Sequence, residues 1–334
     1  MKYKIGIIGS GRMANIYVEK LLNMQDVIIS GICGRSESVE LLARKTGAKA
    51  YYDYKQMLNE DDFDAVYITT PTSTHAGMAK AVAEKKINLF LEKPIALTVK
   101  EAYEVLKTIE DSGIICTSGH MFRYKNTVKK LKDIFTNKPI ALINGHWYWT
   151  IPPISHIANK DMGGGPVVDQ LIHLIDLARL FAGEINTVKA SYTCNCRVDE
   201  DFNNWDGYAI NLTFKNGTVG NISGTLALYD SIKEQSLLEN CALDIIAKDF
   251  LGRFTPSHIQ LYSSGEVKTI EDKSGEINED FIAAIRSNDR SLIKSNIRDA
   301  VKTTIAVLAC NHSAATGKVV SIDDYMKDEC GEIL

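Results

Sequence analysis

Ile5-Gly-Ile-Ile-Gly9-Ser-Gly11-Arg-Met-Ala14 decides how this chain begins. An apolar run stops at a glycine-rich turn, and from residue 13 apolar positions recur at helical spacing. A strand, a tight turn and a helix in that order make the setting in which such glycines bind a dinucleotide. Gly9 permits the turn, Gly11 lets the backbone approach a pyrophosphate, and Ala14 stands where helix and strand pack closely. The N–H groups that open the helix suit phosphate oxygens. A glycine-rich turn alone would say little; the strand and helix on either side give it its meaning.

Outward from this turn, apolar runs at residues 5–8, 27–33, 65–69, 89–91 and 114–117 alternate with amphipathic stretches at 13–23, 38–46, 75–85 and 99–112. Alternation of this kind builds βαβ units, so residues 1–120 are expected to form a doubly wound parallel sheet of the Rossmann type. Beyond residue 123 the period changes to two. Asn216-Gly217 and Ser264-Gly265 each separate alternating runs and predict hairpins, the first with a type I′ turn. Helices are expected at 124–135, 166–181, 278–287 and 298–312, which makes residues 121–334 an α+β domain with a large, mostly antiparallel open sheet.

Composition sets bounds on partners and place. The chain has 334 residues, too many for one core, with 45% hydrophobic and 24% charged residues, as in ordinary globular proteins. A net charge of -4 and the lack of any basic block argue against nucleic acid and anionic membranes as partners. Seven dispersed cysteines are no disulfide framework and fit a reducing cytoplasm. Gly6 and Gly9 arrive too early for a signal-peptide core, and no run approaches the ~18 apolar residues of a spanning helix. A cytoplasmic location is therefore expected.

Several segments bear on chemistry. Within the first turn and helix, Gly9, Gly11, Arg12 and Met13 are placed at the cofactor. After the second strand comes Cys33-Gly34-Arg35-Ser36-Glu37, with no acid where one would bind a ribose 2′-hydroxyl. Arg35 and Ser36 favour NADP; Glu37 turning inward would serve NAD instead. Thr70-Pro71-Thr72, His75 and Glu92-Lys93-Pro94 follow later strands, at the edge where open α/β sheets hold ligands. Proline holds Lys93 extended, although position alone leaves a solvated charge open.

The segment Asp161-Met-Gly163-Gly-Gly165-Pro-Val-Val-Asp169-Gln-Leu-Ile-His173-Leu-Ile-Asp176 enters a helix sharply at Pro166. Asp169 and His173 are four apart and Asp176 three further on, so one stripe carries all three, while Leu171, Leu174, Ile175 and Ala178 take the opposite stripe. An imidazole beside a carboxylate suits proton transfer to and from a hydroxyl. A solvent-facing stripe in which Asp169 pairs His173 structurally remains the alternative. His120, His146, His156 and the cysteines lack compact metal-ligand spacing, so no metal is expected.

Taken together, Gly9-Ser-Gly-Arg-Met-Ala14, Glu92-Lys-Pro94 and Gly163-Gly-Gly, Asp169 and His173 at their separations resemble the glucose–fructose oxidoreductase, inositol dehydrogenase and rhizopine catabolism family (Gfo/Idh/MocA). The resemblance implies an NAD(P)-dependent oxidoreductase acting on a sugar, cyclitol or related polyol. It implies that Lys93 hydrogen-bonds the reacting oxygen, His173 is the acid/base and Asp169 orients the hydroxyl. It also implies a homodimer or homotetramer formed through the second domain's sheet. Thr72 departs from the asparagine common in relatives. Arg123 stands where relatives often carry a cleft arginine, with a domain-junction salt bridge as the alternative. Trp147, Tyr148, Trp149 and the loop with His156 are candidates to line the sugar, or else to pack the sheet. The same fold also serves NAD-dependent glycoside hydrolases and non-catalytic nucleotide sensors. Lys93, Asp169 and His173 argue against a pure sensor.

Overall fold

A computed structural model of the chain describes residues 2–151, 158–228, 239–272 and 276–334. The apolar runs of the first third become six parallel strands: β1 (Tyr3–Ile8), β2 (Val27–Cys33), β3 (Lys49–Tyr51), β4 (Ala65–Ile68), β5 (Asn88–Leu91) and β6 (Cys116–Ser118). Their order is β3-β2-β1-β4-β5-β6, so the chain winds out one way from β1 and then the other, and the carboxyl ends of β1 and β4 meet at the reversal. Ile5, Ile7, Ile8, Val66, Tyr67, Ile68 and Leu89 to Leu91 are at most 1% exposed, as strands covered by helices on both faces must be. The strand Lys49–Tyr51 and the helix Tyr54–Glu60 escaped the apolar-run criterion, because the strand is an edge of three residues with only Tyr51 buried.

The chain divides into two compact units, and the division is not a single cut. Met1–Ala96, Glu101–Gly119 and Glu276–Val301 form the first; Leu97–Lys100, His120–Gly275 and Lys302–Leu334 form the second. The period change near residue 120 is thus only one of the crossings, and the helix Ile277–Ser287, assigned by sequence to the C-terminal domain, packs in the first unit. The reason is aromatic. Tyr67 stacks on Phe90 with centroids 4.5 Å apart, and Phe281 meets both edge-on at 5.8 Å with no exposed surface.

The second unit is built on β7 (Ile140–Tyr148), β8 (Ile185–Thr193), β9 (Gly207–Phe214), β10 (Val219–Thr225), β11 (Cys241–Ala247), β12 (Phe250–Phe254), β13 (His258–Ser263), β14 (Glu266–Glu271) and β15 (Val320–Ser321). Among the described residues they make one sheet, β14-β13-β12-β11-β7-β10-β9-β8-β15, antiparallel except where β7 and β10 run parallel. Both predicted hairpins form, but the turn expected at the first is found at the second. At Asn216-Gly217 only Gly217 has a positive φ, and Phe214 bonds Thr218 across a three-residue loop, so the turn is not type I′. At Ser264-Gly265 both residues are left-handed, the two-residue I′ pattern.

Against this sheet lies the helix Ile172–Ala182, buried from Ile172 through Arg179. The expected split into a polar stripe and a core stripe is absent: Asp176 is 1% exposed and belongs to the interior. Arg123 grips it through two bonds, Nε to Oδ2 at 2.7 Å and a terminal nitrogen to Oδ1 at 2.8 Å. The Thr303 hydroxyl donates to Oδ1 at 2.9 Å, and Arg179 donates to Thr303 at 2.7 Å. Burial alone would raise the Asp176 pKa; Arg123, His120 and Arg179 outweigh it and hold the carboxyl well below the usual carboxylate range.

Two outcomes follow for stability. Phe281→Ala should cost about 3–5 kcal/mol in chemical denaturation, by opening a void against Tyr67 and Phe90; a near-neutral result would place this helix outside that core. Asp176→Asn should cost about 3–5 kcal/mol at neutral pH by leaving Arg123 buried without its charge partner. Because the folded pKa is depressed, the carboxylate's contribution is present above the ordinary aspartate value of 3.8 and is lost as pH falls below it. The difference between the variant and the parent should therefore shrink on acidification, as pH-dependent denaturation would record.

Candidate active site

In the first unit, the turn after β1 is shaped by Gly9. Its φ is +123°, and a Cβ there would collide with Thr69 Oγ1 at the end of β4, so both backbone and space require glycine. Gly11 caps the helix Arg12–Leu22 from extended backbone; a Cβ on it would meet nothing within 4 Å. The helix begins without a side-chain cap and without an acid in its first turn, leaving its N–H groups and positive end to an anion. Ala14 is fully buried, as close helix–strand packing demands, whereas Arg12 is exposed and Met13 half-buried. These features fit a pyrophosphate.

At the end of β2, Arg35 and Ser36 are exposed. Ser36 Oγ lies 2.6 Å from Ser38 Oγ, which donates to Ser10 Oγ at 2.7 Å. A chain of hydroxyls thus joins this loop to the glycine-rich turn. Past β4, Thr74 Oγ1 lies 2.7 Å from Thr70 Oγ1 and 2.8 Å from the Pro71 carbonyl oxygen, with Thr72 half-buried and Pro71 exposed.

His75 and Glu92, both expected to touch the cofactor, are enclosed instead. The His75 ring is 1% exposed, with Nδ1 at 2.8 Å from the Pro94 carbonyl and Nε2 at 2.8 Å from that of Thr70. Burial lowers its pKa more than the two carbonyls raise it. It braces two loops, and its ring nitrogens are taken up by them. Glu92 is 4% exposed and accepts from the Tyr17 hydroxyl and, at 3.0 Å, from the Lys93 N–H. Burial, and then Glu92, push the Tyr17 phenol well above its usual pKa, so it stays a donor. The pair Tyr17–Glu92 was invisible in the sequence. Lys93 itself is half-buried, and the Lys93-Pro94 peptide is cis.

In the second unit, the triple glycine ends in Gly165 at φ +90°, where a Cβ would stand 2.5 Å from the Trp205 ring. A single π-helical turn, Val167–Leu171, follows and leads into the helix Ile172–Ala182. Asp169 and Gln170 lie in this wide turn and are half-exposed, while their neighbours on both sides are buried. Such turns occur often at functional sites, and periodicity does not reveal them. Gln170 Oε1 accepts from the Tyr208 hydroxyl at 2.6 Å.

His173 is 7% exposed and lies among rings: Phe122 at 5.2 Å, Trp147 at 6.0 Å and His120 edge-on at 6.3 Å between centroids. Phe122 and Trp147 also stack on each other. Arg123, expected as a substrate contact, is 7% exposed and spends its guanidinium on Asp176, within one unit. Its role is to fix the turn Met121–Tyr124, which carries Phe122. Trp149 is half-buried just past the end of β7, its backbone N–H donating to the Thr225 carbonyl; it is Trp147 that packs on His173. His156 lies outside the described residues. Among the described residues, no three His, Cys, Asp or Glu side chains gather as a metal site would require, and no helix is long and apolar enough to cross a membrane.

Comparison with known proteins agrees with this geometry. Residues 3–120 match the model of the oxidoreductase family with an NAD-binding Rossmann fold, and residues 139–236 match the GFO/IDH/MocA C-terminal domain. The chain is 30% identical to a myo-inositol 2-dehydrogenase of Thermotoga maritima over 232 residues, 66% of this chain and 68% of that one. It is 27% identical to the scyllo-inositol 2-dehydrogenase (NAD(+)) of Bacillus subtilis over 66% of this chain and 67% of that one. An oxidoreductase from Agrobacterium radiobacter, solved with NAD+, L-tartaric acid and magnesium, shares the fold with a TM-score of 0.84 at 20% identity, covering 96% of this chain and 99% of that one. A turn that can hold a pyrophosphate, the doubly wound sheet behind it and family matches along both halves lead to one conclusion: the chain is an oxidoreductase of the Gfo/Idh/MocA family.

Proposed function

We propose that the protein oxidises a secondary hydroxyl of a cyclitol or sugar, or reduces the matching ketone, with Lys93, Asp169 and His173 as its working side chains. The observation that carries this reading is the π turn, which leaves Asp169 and Gln170 half-exposed on an otherwise buried segment, with His173 four residues on. The inositol dehydrogenases among the relatives support the substrate class.

When bound, a nicotinamide supplies the hydride acceptor or donor. The chain's own groups handle the proton and the charge. His173, its ring oriented by Phe122 and Trp147, takes the hydroxyl proton at an imidazole nitrogen. The Lys93 ammonium donates to the reacting oxygen as negative charge grows there. The backbone leading into Lys93 is steadied by Glu92, which accepts the Lys93 N–H. Asp169, in its carboxylate form, accepts from a substrate hydroxyl and sets the ring's position.

For the cofactor, we infer NADP in preference to NAD. Arg35 is exposed beside the Ser36–Ser38–Ser10 hydroxyl chain, and a guanidinium with hydroxyl donors is suited to a phosphate dianion.

Purified protein should reduce its cofactor with at least one member of a panel of inositols and aldoses. Lys93→Ala and His173→Ala should each lose about 100-fold or more in kcat/KM while still binding cofactor. Unchanged turnover in either variant would remove that residue from the chemistry. Release of an aglycone from a glycoside without net cofactor reduction would replace the dehydrogenase by a hydrolase. Arg35→Ala should weaken NADP about tenfold relative to NAD in a binding titration, the equivalent of one lost charge-assisted contact of about 1.4 kcal/mol. Tighter binding of NAD than NADP by the parent protein would contradict the assignment.

A further inference from the structure

The wide turn Val167–Leu171 has a consequence for substrate choice. Between Pro166 and Arg179, only Asp169 and Gln170 are not buried, and both lie near the Tyr208 hydroxyl, which Gln170 accepts from and whose pKa the Asp169 charge raises. One of the two is a pure acceptor. The other is an amide, with an acceptor at one end and two donors at the other.

Which end of the amide is free follows from Tyr208. Its hydroxyl belongs to a residue only 4% exposed, and among the described residues its one hydrogen-bond partner is Gln170 Oε1, at 2.6 Å. Burial, and then the nearby Asp169 carboxylate, push the Tyr208 pKa upward, so the phenol keeps its proton and needs an acceptor. Oε1 serves that need. The NH2 end is therefore turned away from Tyr208, and among the described residues it has no hydrogen-bond partner. Tyr208 is itself anchored, its ring filling the space beside Gly224, where a Cβ would collide with it.

An acceptor and a donor offered side by side match the two hydroxyls of a vicinal diol. The first hydroxyl donates to Asp169; its neighbour accepts from Gln170 Nε2. We propose that Gln170 determines specificity by donating to the hydroxyl vicinal to the one held by Asp169, and that Tyr208 is the positioning residue that fixes its amide. This rests on the dehydrogenase reading above and deepens it: the preferred substrates are polyols with adjacent free hydroxyls.

The test uses the full chain with saturating cofactor. From the panel above it takes the cyclitol or sugar with the highest kcat/KM and the analogue of that substrate lacking the vicinal hydroxyl. Gln170→Glu keeps an acceptor for Tyr208 and removes the donor. It should raise KM for the full polyol about 10- to 100-fold, leave kcat within about threefold, leave the cofactor dissociation constant unchanged and abolish most of the preference over the deoxy analogue. Gln170→Leu should do the same without adding charge. Tyr208→Phe, nearly isosteric, should raise KM by a smaller factor by freeing the amide to turn. Parent-like KM and parent-like discrimination in both folded Gln170 variants would overturn the proposal while leaving the dehydrogenase intact. A fall in kcat at constant KM would also overturn it. Absence of turnover by the parent on every polyol would instead overturn the dehydrogenase reading, and this proposal with it.

Discussion

A buried carboxylate, Asp176, must be neutralised, and much of the second unit is arranged to do so. Arg123 reaches it from the turn Met121–Tyr124, Thr303 from another helix, and Arg179 supports Thr303 from one turn further along Asp176's own helix. Removing either charge would strand the other in a medium where an unpaired ion costs several kcal/mol. The pair is thus a constraint on geometry more than a source of stability. It fixes the helix Ile172–Ala182 against the turn carrying Phe122, and Phe122 in turn is the ring nearest to His173. The surroundings of the His173 ring thus follow from an ion pair made with Arg123 by Asp176, three residues further along the same helix.

The first unit is governed by a different constraint, backbone shape. Gly9 has neither the φ nor the space for a side chain, and the uncapped helix behind it leaves N–H groups for a charged ligand. Around this turn the neighbouring loops are tied by their own polar groups: hydroxyls from Ser36 to Ser10, the His75 ring between Thr70 and Pro94, and Glu92 between Tyr17 and Lys93. Loops so tied cost little to order when a ligand arrives.

How much of this could be read in the sequence depended on the kind of signal. Strands covered on both faces announce themselves as apolar runs, and β2 (Val27–Cys33) was found to the residue. The edge strand Lys49–Tyr51 has no such run. Helices were located well, since amphipathic spacing is local, but amphipathicity does not say which core a helix joins; the Ile277–Ser287 helix packs on Tyr67 and Phe90, more than 180 residues earlier in the chain. The glycine turn was legible because it combines unusual residue types at short spacing between a strand and a helix; Asp169 and His173 stand out for the same reason, as a short-spaced pair after three glycines. Gln170 and Tyr208 were not, because a π turn and a bond across 38 residues leave no periodic trace. His75, Glu92 and Arg123 were placed in the site by their neighbours in sequence, whereas their polar atoms are engaged within the fold.

The central claim is that a carbon-bound hydrogen leaves a polyol as hydride. It is tested most directly with a substrate deuterated at the carbon bearing the reacting hydroxyl, followed by mass spectrometry of the cofactor. The account predicts one deuterium in the reduced nicotinamide and a slowed turnover. A reduced cofactor free of deuterium, or label lost to solvent while the cofactor stays oxidised, would contradict it.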